Sequence, residues 1–414
     1  MSEPARLRLF EAAGIELEYM LVDSATLSVL PAADELFLRA TGSPASDVET
    51  GEIHWSNELV RHVVELKTAR PEADLERLPA LFQDSVRRIN AILEPMGGRL
   101  MPSGMHPWMD PLAETRLWGG ESSAIYEAFD RIFDCRGHGW SNVQSTHLNL
   151  PFAGDEEFAR LHAAVRILLP VLPALAASSP IVDGRVAGYL DARMDAYVRN
   201  SLKVPSVGGD IVPEPVFHPR EYRERILEPM YRDIAPKDPG GILQDEFLNA
   251  RGAIARFSRG SIEIRVLDVQ ECPFADLAIA ALVQGALRLL VEEHWSPLSE
   301  QEAWPVAPLR EILGRCITAA DEAPIGDRRY LGLFGLEDGL VTAGGLWRHL
   351  AREVFRAGAA REEAWRAPLD RILERGPLAR RILTALGGDT RRESLARVYG
   401  RLCECLEAGE LFIG

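Results

Sequence analysis

Two glutamates at alternate positions near the start of the chain, Glu16 and Glu18, are the first residues that could do chemistry. They lie in the run G-I-E-L-E-Y-M-L, whose apolar and polar residues alternate. In a β-strand this pattern places both carboxylates on one face and Ile15, Leu17 and Tyr19 on the other. The alternative is an edge strand whose acidic face is solvated.

The same alternation occurs twice more along the chain. Glu263 and Arg265 share one face of the run S-I-E-I-R-V-L-D, and His147 and Asn149 share one face of Q-S-T-H-L-N-L. A surface ion-pair ladder and a structural histidine are the alternatives for these two runs. If the three strands belong to one sheet, one face of that sheet is polar.

A further pair of acids, Glu58 and Glu65, lies seven residues apart in the segment 57–66. We predict a helix over this segment, in which a spacing of two turns puts both carboxylates on the same side. Such a helix could cover the polar sheet face, although a solvated helix face is the alternative.

Brought together, these segments would place five carboxylates and one imidazole in one cleft. Unpaired acids at close range repel one another and their pKa values rise. Divalent cations remove the repulsion, and hard oxygen ligands suit Mg²⁺ or Mn²⁺. The chain has no G-x-x-x-x-G-K-[ST] phosphate loop, no G-x-G-x-x-G fingerprint, no H-E-x-x-H and no G-x-S-x-G. The acids therefore indicate a site that handles nucleotide phosphates through metal ions.

The elements that must position these residues are those of an α+β protein. Strands are predicted over 15–22, 144–150 and 261–267, and helices over 74–93, 156–169 and 276–293. Beyond residue 295 the apolar residues recur at helical spacing, and we predict helices over 308–320, 345–356, 362–375, 377–386 and 391–406. The chain is accordingly divided into a catalytic α+β core, residues 1–295, and a helical C-terminal part, residues 296–414, packed on the core.

Composition limits the partners. The chain of 414 residues carries a net charge of −16, which argues against nucleic acid or anionic lipid as a partner. Hydrophobic residues make up 47% of the chain, enough for a sizeable buried core. The five scattered cysteines do not form a disulfide framework, and no signal peptide or membrane span is evident, so we expect a protein of the cytoplasm.

Taken in order, these motifs resemble those of the glutamate–cysteine ligases and related carboxylate–amine ligases. The matching features are the G-x-E-x-E strand, the acids that end in E-L-K-T, the H-x-N strand, the A-S-S-P stretch and the S-I-E-I-R-V-L-D strand. The resemblance implies a glutamine-synthetase-like fold, in which an antiparallel β-sheet forms a cradle flanked by helices. It also implies ATP, two or three Mg²⁺ ions, with Mn²⁺ as a substitute, and amide formation through an acyl phosphate.

The resemblance assigns roles to individual residues. The implied metal ligands are Glu16, Glu18, Glu58, Glu65, His147 and Glu263. Arg265 is similar to the arginine that contacts the transferring phosphate, so Glu263 and Arg265 are the expected catalytic residues. Asn149 is similar to the polar residue beside the metal-binding histidine. We therefore expect Asn149 to contact both the cofactor and the substrate.

Two arginines and a tyrosine complete the expected contacts. Arg193 is similar to the arginine that holds the acceptor glutamate. Position alone marks Tyr126 as a substrate contact and Arg131 as a phosphate contact, with a packed aromatic and a surface arginine as the alternatives.

The expected substrates are small molecules: glutamate or another carboxylate, and cysteine or another amine. Two other functions remain open at this point. One is a catalytically degenerate homologue that binds a nucleotide or an amino acid for regulation, and the other is a phosphotransferase to a guanidino group. Association into a homo-oligomer is a further possibility.

Overall fold

An eight-stranded antiparallel sheet organises the fold, in a computed structural model that describes residues 6–337 and 339–414. Seven strands follow one another in the order β2-β3-β4-β1-β6-β10-β9, and the eighth, β5, pairs with β1. The strands are β1 (Gly14–Asp23), β2 (Asp47–Val48), β3 (Ile53–Asn57), β4 (Val63–Thr68), β5 (Gly98–Met101), β6 (Ser145–Pro151), β7 (Ile181–Val182), β8 (Arg185–Val186), β9 (Ala253–Arg256), β10 (Ser261–Asp268), β11 (Pro324–Ile325) and β12 (Val341–Thr342). Strands β7 and β8 form one small separate sheet, and β11 and β12 form another.

Helices surround this sheet and make up most of the chain after β10. They are α1 (Ala33–Thr41), α2 (Leu78–Leu93), α3 (Pro111–Glu114), α4 (Ser123–Phe133), α5 (His138–Ser141), α6 (Gly154–Leu168), α7 (Pro173–Ala176), α8 (Ala192–Tyr197), α9 (Pro205–Gly208), α10 (Pro219–Tyr222), α11 (Glu228–Ile234), α12 (Pro273–Val291), α13 (Leu298–Glu302), α14 (Val306–Ala319), α15 (Arg328–Gly332), α16 (Ala343–Arg356), α17 (Glu362–Arg375), α18 (Leu378–Leu386) and α19 (Arg392–Ala408). The α+β fold class with a large antiparallel sheet is confirmed.

The three strands predicted from alternation are direct neighbours in the sheet. Strand β1 pairs with β6 through its first half and with β5 through its second half, and β6 pairs in turn with β10. The apolar face of β1 is fully buried at Ile15, Leu17 and Tyr19, in the same core as the buried faces of α2, α6 and α12. The opposite face is therefore left for the polar residues.

The prediction of a helix over residues 57–66 is wrong. Strand β3 ends at Asn57, β4 begins at Val63, and the two pair as a hairpin with Ser56 opposite Glu65. The two valines at 63 and 64 favour a strand, and β1 offers β4 a second partner on its other side. Glu65 is thus part of the sheet itself, whereas Glu58 lies in the loop that joins the two strands.

The part of the chain after residue 295 contains the predicted helices, observed as α14, α16, α17, α18 and α19, and also the short β11–β12 pair. Some of its apolar side chains, such as Trp347 and Leu406, belong to the same hydrophobic core as Ile15 and Leu17 of β1. The division of the chain into two parts between residues 295 and 296 stays a proposal.

One described helix, α12, is apolar and long enough to cross a bilayer. However, 83% of its most apolar 18-residue stretch is buried within the fold.

A buried ion pair joins this C-terminal part to the core. Glu271, which follows β10, pairs with Arg381 of α18, and both side chains are almost completely buried. Arg381 Nη1 also donates to the carbonyl oxygen of Phe412 at 2.8 Å. The C-terminal segment is thereby fixed to the residues that follow β10.

The substitution Arg381→Met tests this joint. It leaves the Glu271 carboxylate buried without its partner, and we expect the free energy of unfolding, measured with urea, to fall by roughly 3–5 kcal/mol. The exposed Arg375, replaced by Met in the same way, is the matched control and should change stability little. Equal stability of the two variants would contradict this role of the ion pair.

Candidate active site

The polar face of the sheet collects the predicted residues because their strands pair in register. Glu16 of β1 lies opposite His147 of β6 on one side and opposite Lys67 of β4 on the other. Glu18 lies opposite Glu65. Directly opposite residues in antiparallel strands project to the same face, so these side chains converge over the middle of the sheet.

One histidine connects two groups of acids. His147 Nδ1 lies 2.8 Å from Glu16 Oε2, and its Nε2 lies 3.9 Å from Glu18 Oε1. The ligand atoms of Glu16, His147 and Glu263 all lie within 4.8 Å of one another, and the same holds for Glu18, Glu65 and His147. We call these five residues the carboxylate cluster. Carboxylate oxygens with one imidazole are a donor set that fits Mg²⁺ or Mn²⁺.

The protonation of the cluster reflects its crowding. Burial and the charge of Glu16 raise the pKa of Glu65 to about 7. Burial would also raise the pKa of Glu16, but the hydrogen bond with His147 and the charges of His147 and Arg265 outweigh it and lower that pKa to about 2. Burial would lower the pKa of His147, yet Glu16 and Glu18 raise it to about 9. The cluster thus retains protons at neutral pH that divalent cations would replace.

Glu58 approaches the cluster from the β3–β4 loop. Burial, together with the charges of Glu18 and Glu65, raises its pKa well above the ordinary value. Its Oε2 accepts a hydrogen bond from the backbone N–H of Leu59 at 3.3 Å. Glu58 therefore faces the same cavity as the other acids but stands apart from the two groups centred on His147.

Two arginines flank Glu263 at the edge of the carboxylate cluster. Arg265 Nε lies 2.7 Å from Glu263 Oε1, and Arg256 Nη1 donates to Glu263 Oε2 at 3.2 Å. Asn149 donates through Nδ2 to Glu16 Oε1 at 3.1 Å. Cations and acids thus alternate across β10 and its neighbours, so a negatively charged group can be bound beside the proposed metal ligands.

A buried clamp holds Arg193. Asp268, the last residue of β10, forms an ion pair with Arg193 Nε and accepts hydrogen bonds from the backbone N–H of Ser178 and from Ser179 Oγ, both at 2.8 Å. Arg193 Nη1 donates to the carbonyl oxygen of Arg265 at 3.3 Å. The A-S-S-P stretch and the end of S-I-E-I-R-V-L-D therefore together fix this guanidinium.

Two cavities meet at the carboxylate cluster. The inner cavity, of about 630 Å³, contains the acids, His147, Arg193 and Arg265, and its far wall is aromatic. The aromatic residues are Tyr126, Phe129, Trp140, Tyr197 and Phe247. The outer cavity, of about 680 Å³, lies at the Gly14 end of β1 and shares Glu16, Lys67 and Arg259 with the inner one.

The charge of the outer cavity is opposite to that of the whole chain. Its lining includes four cationic side chains, Arg6, Lys67, Arg70 and Arg259, against one acid, Glu16. In a protein with a net charge of −16, this is a local concentration of positive charge. It favours the binding of an anion that reaches toward the cluster.

Of the predicted contacts, Tyr126 lies in the inner cavity, where its hydroxyl accepts a hydrogen bond from Asn57 Nδ2 at 3.0 Å. Arg131 is exposed and lines neither cavity. The inner face of α4 is formed by Tyr126 and Phe129, and a residue five positions after Tyr126 points elsewhere on a helix. The structure therefore brings Arg131 to neither cavity, unlike Tyr126.

Sequence reasoning missed several residues of the site. Lys67 stands two positions after Glu65 in β4 and donates to Ser56 Oγ at 2.8 Å. Alternation would have revealed it if residues 63–68 had been interpreted as a strand. Arg256 and Arg259 come from β9 and the following turn, for which the sequence carries no comparable signal.

Comparison with known proteins identifies the class. Residues 12–401 match the family model described as glutamate–cysteine ligase family 2 (GCS2). The chain belongs to this family, and the protein is a ligase-type enzyme.

Individual relatives extend this result. An uncharacterized protein of Archaeoglobus fulgidus is 30% identical over 409 residues, covering 97% of this chain and 100% of its own. A protein of Nocardioides sp. named "Putative glutamate--cysteine ligase 2-1" is 28% identical over 309 residues, 72% of each chain.

Two solved structures share the fold. The crystal structure of a glutamate–cysteine ligase from Francisella tularensis in complex with AMP superposes with a TM-score of 0.61 at 14% identity, covering 98% of this chain and 90% of that one. A bifunctional glutathione synthetase from Pasteurella multocida gives a TM-score of 0.55 at 12% identity, covering 97% and 52%.

The pKa shifts predict how the carboxylate cluster affects stability in the metal-free protein. Folding raises the pKa of Glu65 from 4.5 to about 7, so its proton stabilises the fold fully below pH 4.5 and this contribution is lost as the pH rises to about 7. His147 loses its contribution in the same direction, between pH 6.5 and about 9. The free energy of unfolding of the wild type relative to Glu65→Gln should therefore fall as the pH rises through 4.5 to 7.

Added Mn²⁺ should reverse this loss, because a metal binds the deprotonated ligands. We expect the rise in melting temperature on adding Mn²⁺ to be larger at about pH 8.5 than at about pH 6. Two results would contradict this role of the carboxylate cluster. One is a difference in free energy of unfolding between the wild type and Glu65→Gln that does not change between pH 4.5 and about 7, and the other is an equal effect of Mn²⁺ at both pH values.

Proposed function

We propose that the protein is an ATP- and Mg²⁺-dependent ligase that joins the γ-carboxylate of glutamate to cysteine or another amine. The observation that carries this proposal is the arrangement around His147, where two groups of acids share one imidazole and face Arg265. When bound there, Mg²⁺ supplies charge neutralisation for the phosphates, and its proposed ligands are Glu16, Glu18, Glu58, Glu65, His147 and Glu263.

The reaction has two steps. An oxygen of the γ-carboxylate forms a bond to the γ-phosphorus of ATP while the bond to the bridging oxygen breaks, which releases ADP and leaves an acyl phosphate. The amine nitrogen then bonds to the acyl carbon, the carbon–oxygen bond to phosphate breaks, and phosphate and the proton of the amine depart. Arg265 is positioned to follow the negative charge on the transferring phosphoryl group.

The two cavities support separate routes for the substrates. The cationic outer cavity fits the nucleotide, whose triphosphate would pass Lys67 and Arg259 to reach the carboxylate cluster. Glutamate and the amine would occupy the inner cavity, where Arg193 has an unpaired nitrogen for a carboxylate. The aromatic wall would exclude water from the acyl phosphate, which hydrolysis would otherwise destroy.

The expected cellular location is the cytoplasm, in keeping with five free thiols of which four are buried. Each substrate in this proposal is a small molecule, and the reaction requires no nucleic acid or membrane.

The catalytic strand is tested with Glu263→Gln and Arg265→Ala. Purified protein receives Mg-ATP, glutamate and a panel of amines, and ADP and the amide product are measured, the latter by mass spectrometry. We expect turnover in each variant to fall by at least ~10²-fold, since a lost charge-stabilising group in comparable sites costs ~10²–10³. The exposed Glu156→Gln on α6 is the matched control.

Two results would contradict the proposal. One is normal turnover in either variant, and the other is the absence of any amide product from wild-type protein over the whole panel. A phosphorylated small molecule without amide would identify a phosphotransferase instead.

The outer cavity is tested separately with Arg259→Ala and Arg70→Ala. If both cations contact the nucleotide, the KM for ATP should rise by roughly tenfold or less per residue while the KM for glutamate stays near the wild-type value, because each exposed charge contact contributes about 1 kcal/mol. Arg232→Ala, at an exposed position on α11, serves as the control. Equal changes in the KM for ATP and the KM for glutamate would contradict nucleotide binding in the outer cavity.

A further inference from the structure

One face of α8 and the turn after it carries polar groups that the fold leaves unpaired. Arg193, Tyr197 and Asn200 follow at spacings of four and three residues, so they lie on the same side, and all three line the inner cavity. Arg193 Nη2, Tyr197 OH and Asn200 Oδ1 are buried and have no hydrogen-bond partner among the described residues. A buried polar atom without a partner costs free energy, so these three atoms indicate a ligand.

The orientation of the Asn200 amide is determined by its surroundings. Its Nδ2 donates to the carbonyl oxygen of Gly139 at 3.3 Å, and a carbonyl oxygen can only accept. The amide must therefore keep Nδ2 toward Gly139, which leaves Oδ1 as a free acceptor. Trp140 Nε1 also donates to the backbone carbonyl oxygen of Asn200 at 3.1 Å, which holds this turn against α5.

Gly139 makes the approach of the two segments possible. A Cβ atom at this position would lie 2.8 Å from the carbonyl oxygen of Ala196 and 3.1 Å from Asn200 Cβ. Both contacts are too close, so a larger residue would push α5 away from α8. Asn200 is thus held in place by packing as well as by hydrogen bonds.

Arg193 is also held in place, and it offers a hydrogen-bond donor where Asn200 offers an acceptor. Asp268 pairs with its Nε and the carbonyl oxygen of Arg265 accepts from its Nη1, so Nη2 remains as a free donor of a guanidinium that Asp268 holds in place. A fixed cationic donor and a fixed neutral acceptor on one helix face are complementary to a carboxylate with an adjacent ammonium group.

We propose that Asn200 recognises the α-ammonium group of the acid substrate while Arg193 binds its α-carboxylate. Asn200 is then the residue that distinguishes an α-amino acid from the same dicarboxylate without its amino group. This inference depends on the proposed function. The acid without its amino group would leave Asn200 Oδ1 buried and unpaired. A binding site discriminates strongly against an analogue that leaves one of its buried polar groups without a hydrogen bond.

The test compares glutamate with glutarate, which has both carboxylates but no amino group. In Asn200→Leu the acceptor is lost at similar volume, and we expect the ratio of kcat/KM for glutamate to that for glutarate to fall at least about tenfold. Asn200→Asp loses the hydrogen bond to the Gly139 carbonyl but keeps an acceptor oxygen, so it should retain the preference of the wild type for glutamate. Melting temperatures of both variants verify that they are folded.

Three outcomes would overturn the inference: a wild type without preference for glutamate, an equal loss for both acids in Asn200→Leu, or a loss of preference in Asn200→Asp equal to that in Asn200→Leu. A merely structural role of Asn200 would lower turnover of both acids together and leave the ratio unchanged. Failure of the proposed function is a separate result, since wild-type protein would then form no amide from either acid.

Discussion

The repulsion among carboxylates on one sheet face is the constraint on which the rest of the structure depends. Glu16, Glu18 and Glu65 are largely buried around His147, and burial would make their joint ionisation very costly. In the metal-free state the protein manages this charge by leaving protons on some groups and by ion pairs to others. In the proposed reaction, divalent cations that arrive with the nucleotide would offset the charge of these carboxylates, and an acidic site could then accept an anionic substrate.

The register of the paired strands determines where the carboxylates lie, and neighbouring elements position the arginines near them. Strand β10 contributes Glu263 and Arg265 to the polar face and Asp268 to the clamp on Arg193. In the proposed reaction, this one strand would therefore contact the phosphoryl group through Arg265 and position Arg193 for the acid substrate through Asp268. The helices on the other face bury the apolar residues of β1.

Local alternation was sufficient to predict much of this site from the sequence. It gave β1, β6 and β10 and placed Glu16, Glu18, His147, Asn149, Glu263 and Arg265 on shared strand faces. It failed for residues 57–66, where a spacing of seven residues is compatible with a helix, and the actual hairpin depends on pairing with β1. Pairing partners are not encoded in a local pattern, so Lys67 was missed with its strand.

Contacts between distant segments were equally inaccessible. The clamp joins Arg193 to Asp268 across 75 positions, and the sequence pattern offers no reason to connect them. Arg131 lies outside both cavities, and its position relative to a motif could not show which side of α4 faces them. The resemblance to carboxylate–amine ligases supplied Arg193 where periodicity could not.

The most direct measurement is the location of Mn²⁺ by anomalous diffraction in crystals that contain a non-hydrolysable ATP analogue. We predict manganese between Glu16, His147 and Glu263 and between Glu18, Glu65 and His147, with the terminal phosphate beside Arg265. Manganese bound elsewhere, or a triphosphate that does not approach these acids, would contradict it.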